Sequence, residues 1–267
     1  MQVIQQAKSL KVLVIGDSCL DKFIYGTCDR LSPEAPVPVL KHTTTNEMPG
    51  MAGNVVENVK AFSNNVELLT QDCEVTKVRY VDSKSNQHIM RFDIEPSIDR
   101  SDDIFCVNSK QAISAIAGNY DVVILSDYNK GFLKSEQIES LTSKIGQQIY
   151  ADSKKKNISC FKNSIVKLNE KESLTASSTL DKTSILLKTL GKRGASCNGS
   201  IYPAYPVEVF DVSGAGDTFL TSFSIYHSVA GNIREAIIFA NKCSSIVVQR
   251  KGTYALLSKD ILVNKIN

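Results

Sequence analysis

The chain has no CxxC pair, no zinc-ligand spacing, no internal repeat, no low-complexity tract and no apolar run of the length a membrane span needs. Its seven cysteines, at 19, 28, 73, 106, 160, 197 and 243, are odd in number and scattered. They read as reduced thiols in a cytoplasmic protein, not as a disulfide framework. The opening "MQVIQQAKSLKVLVIGD" lacks an export-type apolar core, so a cytosolic protein without a membrane partner is expected. A net charge of +3, with no basic run beyond Lys154, Lys155 and Lys156, argues against nucleic acid as a partner. Nothing resembles a linker, so residues 1–267 are expected to form a single domain with a substantial core.

What the chain does have is a rhythm. Apolar runs of strand length recur at 11–17 (KVLVIGD), 66–71, 121–128 (DVVILSDY), 147–153, 164–169 (SIVKLN) and 184–191. Helical patterns fall near 51–62, 109–118, 134–146, 214–229, 233–249 and 258–265. Continuous β-branched runs suit strands buried on both faces, so the expectation is an α/β sandwich with a mostly parallel central sheet. Two segments break the rhythm. Residues 18–45 carry three prolines among alternating apolar positions, and 76–95 read as two strands around the polar turn DSKSNQ. Together they predict a small antiparallel sheet projecting from the body.

Ligands of an open parallel sheet bind beyond the carboxyl ends of its strands, where Asp17, Asp127, Asp152 and Asn169 fall. Each alone could cap a helix or a turn; four at equivalent places favour a cleft. The stretch DVSGAGDTF (211–219) adds the chemistry. Gly214, Ala215 and Gly216 would present bare backbone N–H groups at a helix start, where unpaired donors and the dipole attract an anion. Asp217 in the first turn is placed to take a proton from a hydroxyl. That combination suits phosphoryl transfer to an alcohol.

These residues resemble known ones. DVSGAGDTF, TLGKRG (189–194) and NEKE (169–172) are similar, in order, to three signatures of the ribokinase-like carbohydrate kinases. The segment GDSCLDKFIYGTCDRLSPEAPVPVL (16–40) narrows the resemblance to the heptose 7-phosphate kinases, and PGMAGNVVENV, TKVR, NQHIMRFDIE and LSDYNKG continue it from about Lys11 to Leu262. The resemblance implies a three-layer α/β/α sandwich with a β lid, and a cytoplasmic ATP- and magnesium-dependent sugar kinase that serves ADP-heptose synthesis. Asp217 would be the general base and Gly214 to Gly216 the anion hole. Asp17, Asp21 and Asn54 would hold sugar hydroxyls. Lys154, Asn169, Glu172, Thr189, Gly191, Gly194 and Asn241 would line the nucleotide site, with Asn169, Glu172 and Asp211 near magnesium, Asp211 through water or only as a loop brace. A substrate already carrying a phosphate needs cations on the sugar side, and Arg30, Lys41, Lys77, Arg79 and Arg91 lie in the lid segments. Lys77 and Arg79, two apart on one strand face, are the best pair.

Three departures stand out. Met51 occupies the second place of a usual glycine pair, which bears on lid closure. The connection Cys73, Glu74 and Val75 is too short for a further β-α unit, so one sheet edge is expected to be trimmed. Ser153 replaces a proline. No nucleotidyltransferase half is seen, so adenylylation would belong to another protein. The alternatives are a kinase of another sugar or nucleoside and a silent sugar-phosphate or nucleotide binder. Lid-to-lid edge pairing makes a homodimer the expected assembly.

Overall fold

The computed structural model describes residues 2–96, 118–250 and 252–263. The main sheet is built from β1 (Val12–Gly16), β4 (Val66–Leu69), β7 (Val122–Asp127), β8 (Ile149–Ser153), β9 (Ser164–Asn169), β10 (Ile185–Thr189), β11 (Ala195–Cys197) and β12 (Ser200–Tyr202). Their order is β12-β11-β10-β9-β8-β7-β1-β4, parallel from β10 to β4 and antiparallel at β11 and β12. All six expected strands are present. The β11–β12 hairpin, three residues a strand, was too short to show a period.

Every residue of β1, β7 and β8 is buried, and successive residues feed opposite cores. Val12, Val14, Val122 and Ile124 pack under α2 (Ala52–Val59), α5 (Ala215–Ala230) and α6 (Ile233–Val247). Leu13, Ile15, Val123 and Leu125 pack under α3 (Ser135–Lys144) and the segment around Ile158 and Phe161. Val14, Ile15 and Ile124 are 0% exposed, and each contributes about 2 kcal/mol by leaving water. Two cores on one sheet make the three-layer sandwich. Short helices α1 (Gln2–Ala7), α4 (Glu170–Thr175) and α7 (Ser258–Val263) complete the described elements. The helical pattern near 109–118 lies, save its last residue, outside the described residues.

The lid is a second sheet of β2 (Ser18–Thr27), β3 (Lys41–Met51), β5 (Thr76–Asp82) and β6 (His88–Ile94), in the order β3-β2-β5-β6. One expectation needs correcting: the sheet is mixed, because its central pair β2–β5 runs parallel. The chain leaves the lid after β3, passes through α2 and β4 of the body, and re-enters in the direction of β2. A parallel pair demands such a long return, whereas the hairpins at β2–β3 and β5–β6 are antiparallel. The lid also reaches further than expected, since β3 continues to Met51 and joins α2 directly. At the other edge β4 ends the sheet and leads to β5 through a few irregular residues, in keeping with a trimmed edge.

Candidate active site

The strands whose ends carry the four polar residues are neighbours, so the residues stand in one row: Asp17 after β1, Asp127 on β7, Asp152 on β8 and Asn169 on β9. Their tasks differ. Asp17, 2% exposed, accepts from the backbone N–H groups of Lys130 and Phe132, each at 3.2 Å, and so pins the loop after β7. Asp127 accepts from Ser153 Oγ at 2.7 Å and lies 3.5 Å from Lys155 Nζ. Ser153 therefore gives a hydrogen bond that a proline there could not.

At the start of α5, Gly214 has φ 79°, a left-handed backbone that favours glycine, and its absent β-carbon leaves room for the Asn54 amide 2.9 Å away. A β-carbon on Gly216 would stand 3.0 Å from Lys167 Nζ. The backbone here is bare because side chains already converge on it from two walls. Asp217 is 4% exposed; Asn54 Nδ2 donates to its Oδ2 at 2.7 Å and the Tyr128 hydroxyl to its Oδ1 at 3.0 Å. Burial pushes its carboxyl up to about 6, against the pull of the Asn54 hydrogen bond and with the push of the Asp152 charge. A carboxylate with that value is ionised at neutral pH yet basic enough to receive a proton. Asn54, expected to hold a sugar hydroxyl, thus bonds Asp217 directly.

On the wall expected to face the nucleotide, NEKE folds as a capping box. Asn169 accepts from the Glu172 N–H at 2.8 Å and Glu172 accepts from the Asn169 N–H at 2.7 Å. Glu172 also bonds Lys154, whose Nζ lies 3.8 Å from Asp152 Oδ1. Burial lowers the Lys154 pKa, but Asp152 and Glu172 more than offset it, and the ammonium is held charged. Thr189 pairs with Asn169 in the β9–β10 register, and Gly191 and Gly194 bound the 3-10 turn that follows. Asn241 of α6 donates to the carbonyls of Tyr202 and Pro203 at 3.0 and 3.1 Å, clamping the end of β12.

On the lid side, cross-strand register puts Asp21, Lys77 and Asp93 in one row and Phe23, Arg79 and Arg91 in the next. Arg79 donates to Asp21 Oδ1 at 2.5 Å and lies over the Phe23 ring at 5.0 Å. Asp21 is therefore already engaged by the cation expected to hold a phosphate. Arg91 pairs with Asp93 at 2.7 Å through two nitrogens. Lys77 is buried, its ammonium 5.5 Å from the Tyr128 ring centroid. Arg30 is exposed on the irregular segment after β2, and Lys41 is exposed at the start of β3, both away from these rows.

Two features carried no signal in the sequence, and a third, at Met51, shows what the departure flagged there means. Tyr128 bonds Asp217. Lys167, 3% exposed, donates to Asp152 Oδ2 at 2.5 Å beneath the glycine cradle. Met51 has φ 55° and ψ −126°, a backbone that residues with a β-carbon rarely adopt, and it is held by packing against Cys19, Val75 and Tyr128. Such strain costs about 1–3 kcal/mol. The family glycine at this place was the signal for it.

Asp211 accepts from the N–H groups of Ser213 at 2.8 Å and Gly252 at 3.1 Å, which makes it the brace of the loop. Among the described residues no three His, Cys, Asp or Glu side chains gather as a metal cage. Asp152 Oδ1 is buried without a hydrogen-bond partner, and Glu172 lies on the same wall. That sparse set of hard oxygens fits a magnesium ion bringing most of its own ligands as water and phosphate.

Residues 156–260 match the profile of the pfkB family carbohydrate kinases. The Bifunctional protein HldE of Aliarcobacter butzleri is 31% identical over 301 aligned positions, covering 92% of this chain and 62% of that protein. That of Sulfurimonas denitrificans is 31% identical, covering 94% and 63%. The chain thus spans about 62 to 63% of the length of these curated relatives. The 301 aligned positions exceed the 267 residues of the chain, so within the match the relatives carry residues that are missing here. Among solved structures, phosphofructokinase-2 from Escherichia coli in complex with potassium superposes with TM-score 0.73 at 17% identity, covering 96% of this chain and 98% of that one. Arabidopsis thaliana ribokinase complexed with ribose and ATP gives TM-score 0.68 at 15% identity, covering 96% and 98%. These likenesses establish the ribokinase fold. No helix among the described residues is long and apolar enough to cross a membrane.

Proposed function

We propose that the chain is a carbohydrate kinase of the pfkB family, which its residues 156–260 match, and that it transfers the γ-phosphoryl group of ATP to the anomeric hydroxyl of a heptose 7-phosphate. The observation that carries this reading is Asp217, buried in the first turn of α5 just after the left-handed Gly214, with Asn54 and Tyr128 donating to its two oxygens and its carboxyl raised to about 6. The segment RLSPEAPVPVL and the cationic lid face favour a sugar that already bears a phosphate over a plain sugar or nucleoside.

In this reaction Asp217 takes the hydroxyl proton as the sugar oxygen forms its bond to the γ-phosphorus. The bond from that phosphorus to the β-γ bridging oxygen breaks, ADP leaves, and the proton passes from Asp217 to solvent. The N–H groups of Gly214 and Gly216 receive charge on the equatorial oxygens, that of Ala215 being donated to the Val212 carbonyl at 3.2 Å, and Lys154 and Lys167 lower the cost of gathering four or more negative charges in one cleft. Magnesium, held through water by Asn169 and Glu172 and next to Asp152, would supply charge neutralisation on the phosphates. Arg79 and Arg91 would grip the remote phosphate, each exchanging its carboxylate partner for the substrate.

The test is ADP release from ATP and magnesium with a panel of heptose 7-phosphate, ribose, fructose phosphates and nucleosides. Release with heptose 7-phosphate is expected. Release with an unphosphorylated sugar alone overturns the substrate assignment, and release with none overturns the catalytic one in favour of a silent binder.

A further inference from the structure

Tyr128 has no part in the proton and phosphate roles assigned above, yet three of the site's charged groups meet on it. The residue follows β7 directly, on the loop that Asp17 pins. Its hydroxyl donates to Asp217 Oδ1 at 3.0 Å, so that with Asn54 on Oδ2 each oxygen of the base has one side-chain donor. Two ammonium groups from different sheets approach its ring: Lys77 of the lid at 5.5 Å and Lys154, just past β8, at 5.4 Å. Met51, Cys19 and Val75 pack against it where the lid joins the body.

We propose that Tyr128 is a positioning residue that ties both walls of the cleft to the base: its hydroxyl orients Asp217 and favours the ionised form, and its ring seats Lys77 and Lys154 beside the transferred phosphoryl group. The assignment to phosphoryl transfer rests on the kinase reading; the hold on the carboxylate does not. Burial, and then the Asp217 charge, keep the phenol proton on Tyr128 well above its ordinary range, so the residue remains a donor throughout the working pH. The Lys77 ammonium on the face of this ring also has the Cys19 thiol and the Asp93 carboxylate near it.

The charged and titratable groups that act on Asp217 are Asp152 of β8, Lys167 of β9, Lys154 beyond β8 and Tyr128 itself. Those acting on Tyr128 are Asp217, Asp152 and Cys19, with Lys77 and Lys154 on its ring. Removing the hydroxyl takes away a donor that favours the charged carboxylate, so the Asp217 pKa must rise. The experiment is a carbon-13 titration of the aspartate carboxyls in the full chain, with Asp217 assigned through Asp217→Asn, comparing wild type with Tyr128→Phe. The Asp217 midpoint is expected to move up by about one pH unit, and the acid limb of kcat/KM to move with it, while the KM for ATP stays within about twofold because the ring remains. An unchanged midpoint in folded Tyr128→Phe overturns the proposal. Should that variant fail to fold, 3-fluorotyrosine at 128, a stronger donor of the same shape, is expected to move the midpoint down, and no movement overturns the proposal equally. If the wild type releases no ADP with any sugar, the kinase reading fails while the titration still decides the role of Tyr128.

Discussion

The central sheet and the lid spend their residues in opposite ways. In β1, β7 and β8 every side chain is buried, and what polarity they hold is confined to the strand ends. In the lid, most of β3 and β6 is exposed, Met90, Phe92 and Ile94 are half in water, and acids and bases face one another across the strands. The central sheet gains its stability from two cores and can fix Asp152, Lys167 and Asn169 rigidly. The outer lid strands gain little by burial, and an exposed ion pair there such as Arg91–Asp93 is worth at most about 1 kcal/mol, whereas Arg79–Asp21 on the inner strands is largely buried. The difference fits the proposed division of labour, in which the sheet side would hold the reacting groups and the lid side, with its cations facing acids across the strands, would select the substrate.

The largest effect should come from the sheet side. Asp217→Asn is expected to lower kcat by roughly 10³-fold with ATP binding retained, read by ADP release and calorimetry. The same variant has a stability signature. The folded carboxyl holds its proton more tightly than the ordinary value of 3.8 allows in the unfolded chain. Its contribution is therefore full below that value and is lost as pH rises through about 6, so ionised Asp217 costs on the order of 3 kcal/mol at pH 8. Asp217→Asn should raise Tm at pH 8, and the gain should vanish towards pH 4. In the wild type, kcat/KM should fall tenfold per pH unit below about 6.

Next in size, Lys167→Met leaves Asp152 buried without its partner and should cost about 3 kcal/mol in urea unfolding as well as turnover. On the lid, Arg79→Ala should raise the KM for the phosphorylated sugar roughly tenfold, leave kcat nearly unchanged, and have little effect on an unphosphorylated analogue. A kcat loss equal to the loss in kcat/KM would erase the division between the two sheets. The smallest effect belongs to the junction. Met51→Gly relieves about 1–3 kcal/mol of backbone strain while losing a buried side chain worth about as much, so the net change in unfolding free energy should stay within about 1 kcal/mol.

The same contrast explains what the sequence could reveal. Runs such as DVVILSDY announce a doubly buried strand by composition, and DVSGAGD announces an anion-binding helix start by its glycines and acid. NEKE was legible as a family signature, while its capping box emerged only in the fold. Lys167 was not, because its meaning lies in a partner fifteen residues earlier, brought beside it only by the β8–β9 register. Tyr128 was hidden for a similar reason, since Asp217 comes 89 residues later. The parallel pairing of β2 with β5 escaped because two short alternating segments look alike whether they pair as neighbours or after a long excursion. Asp211 shows the reverse: an acid in a suggestive motif, whose role as a brace depends on the N–H of Gly252 some forty residues on.

The central claim, that Asp217 directs phosphoryl transfer to the sugar's anomeric oxygen, is tested most directly by phosphorus-31 NMR of wild type and Asp217→Asn incubated with ATP, magnesium and heptose 7-phosphate. The account predicts a new anomeric phosphate resonance growing with ADP in the wild type and essentially none in the variant. The same resonance appearing at comparable rates in both would contradict it.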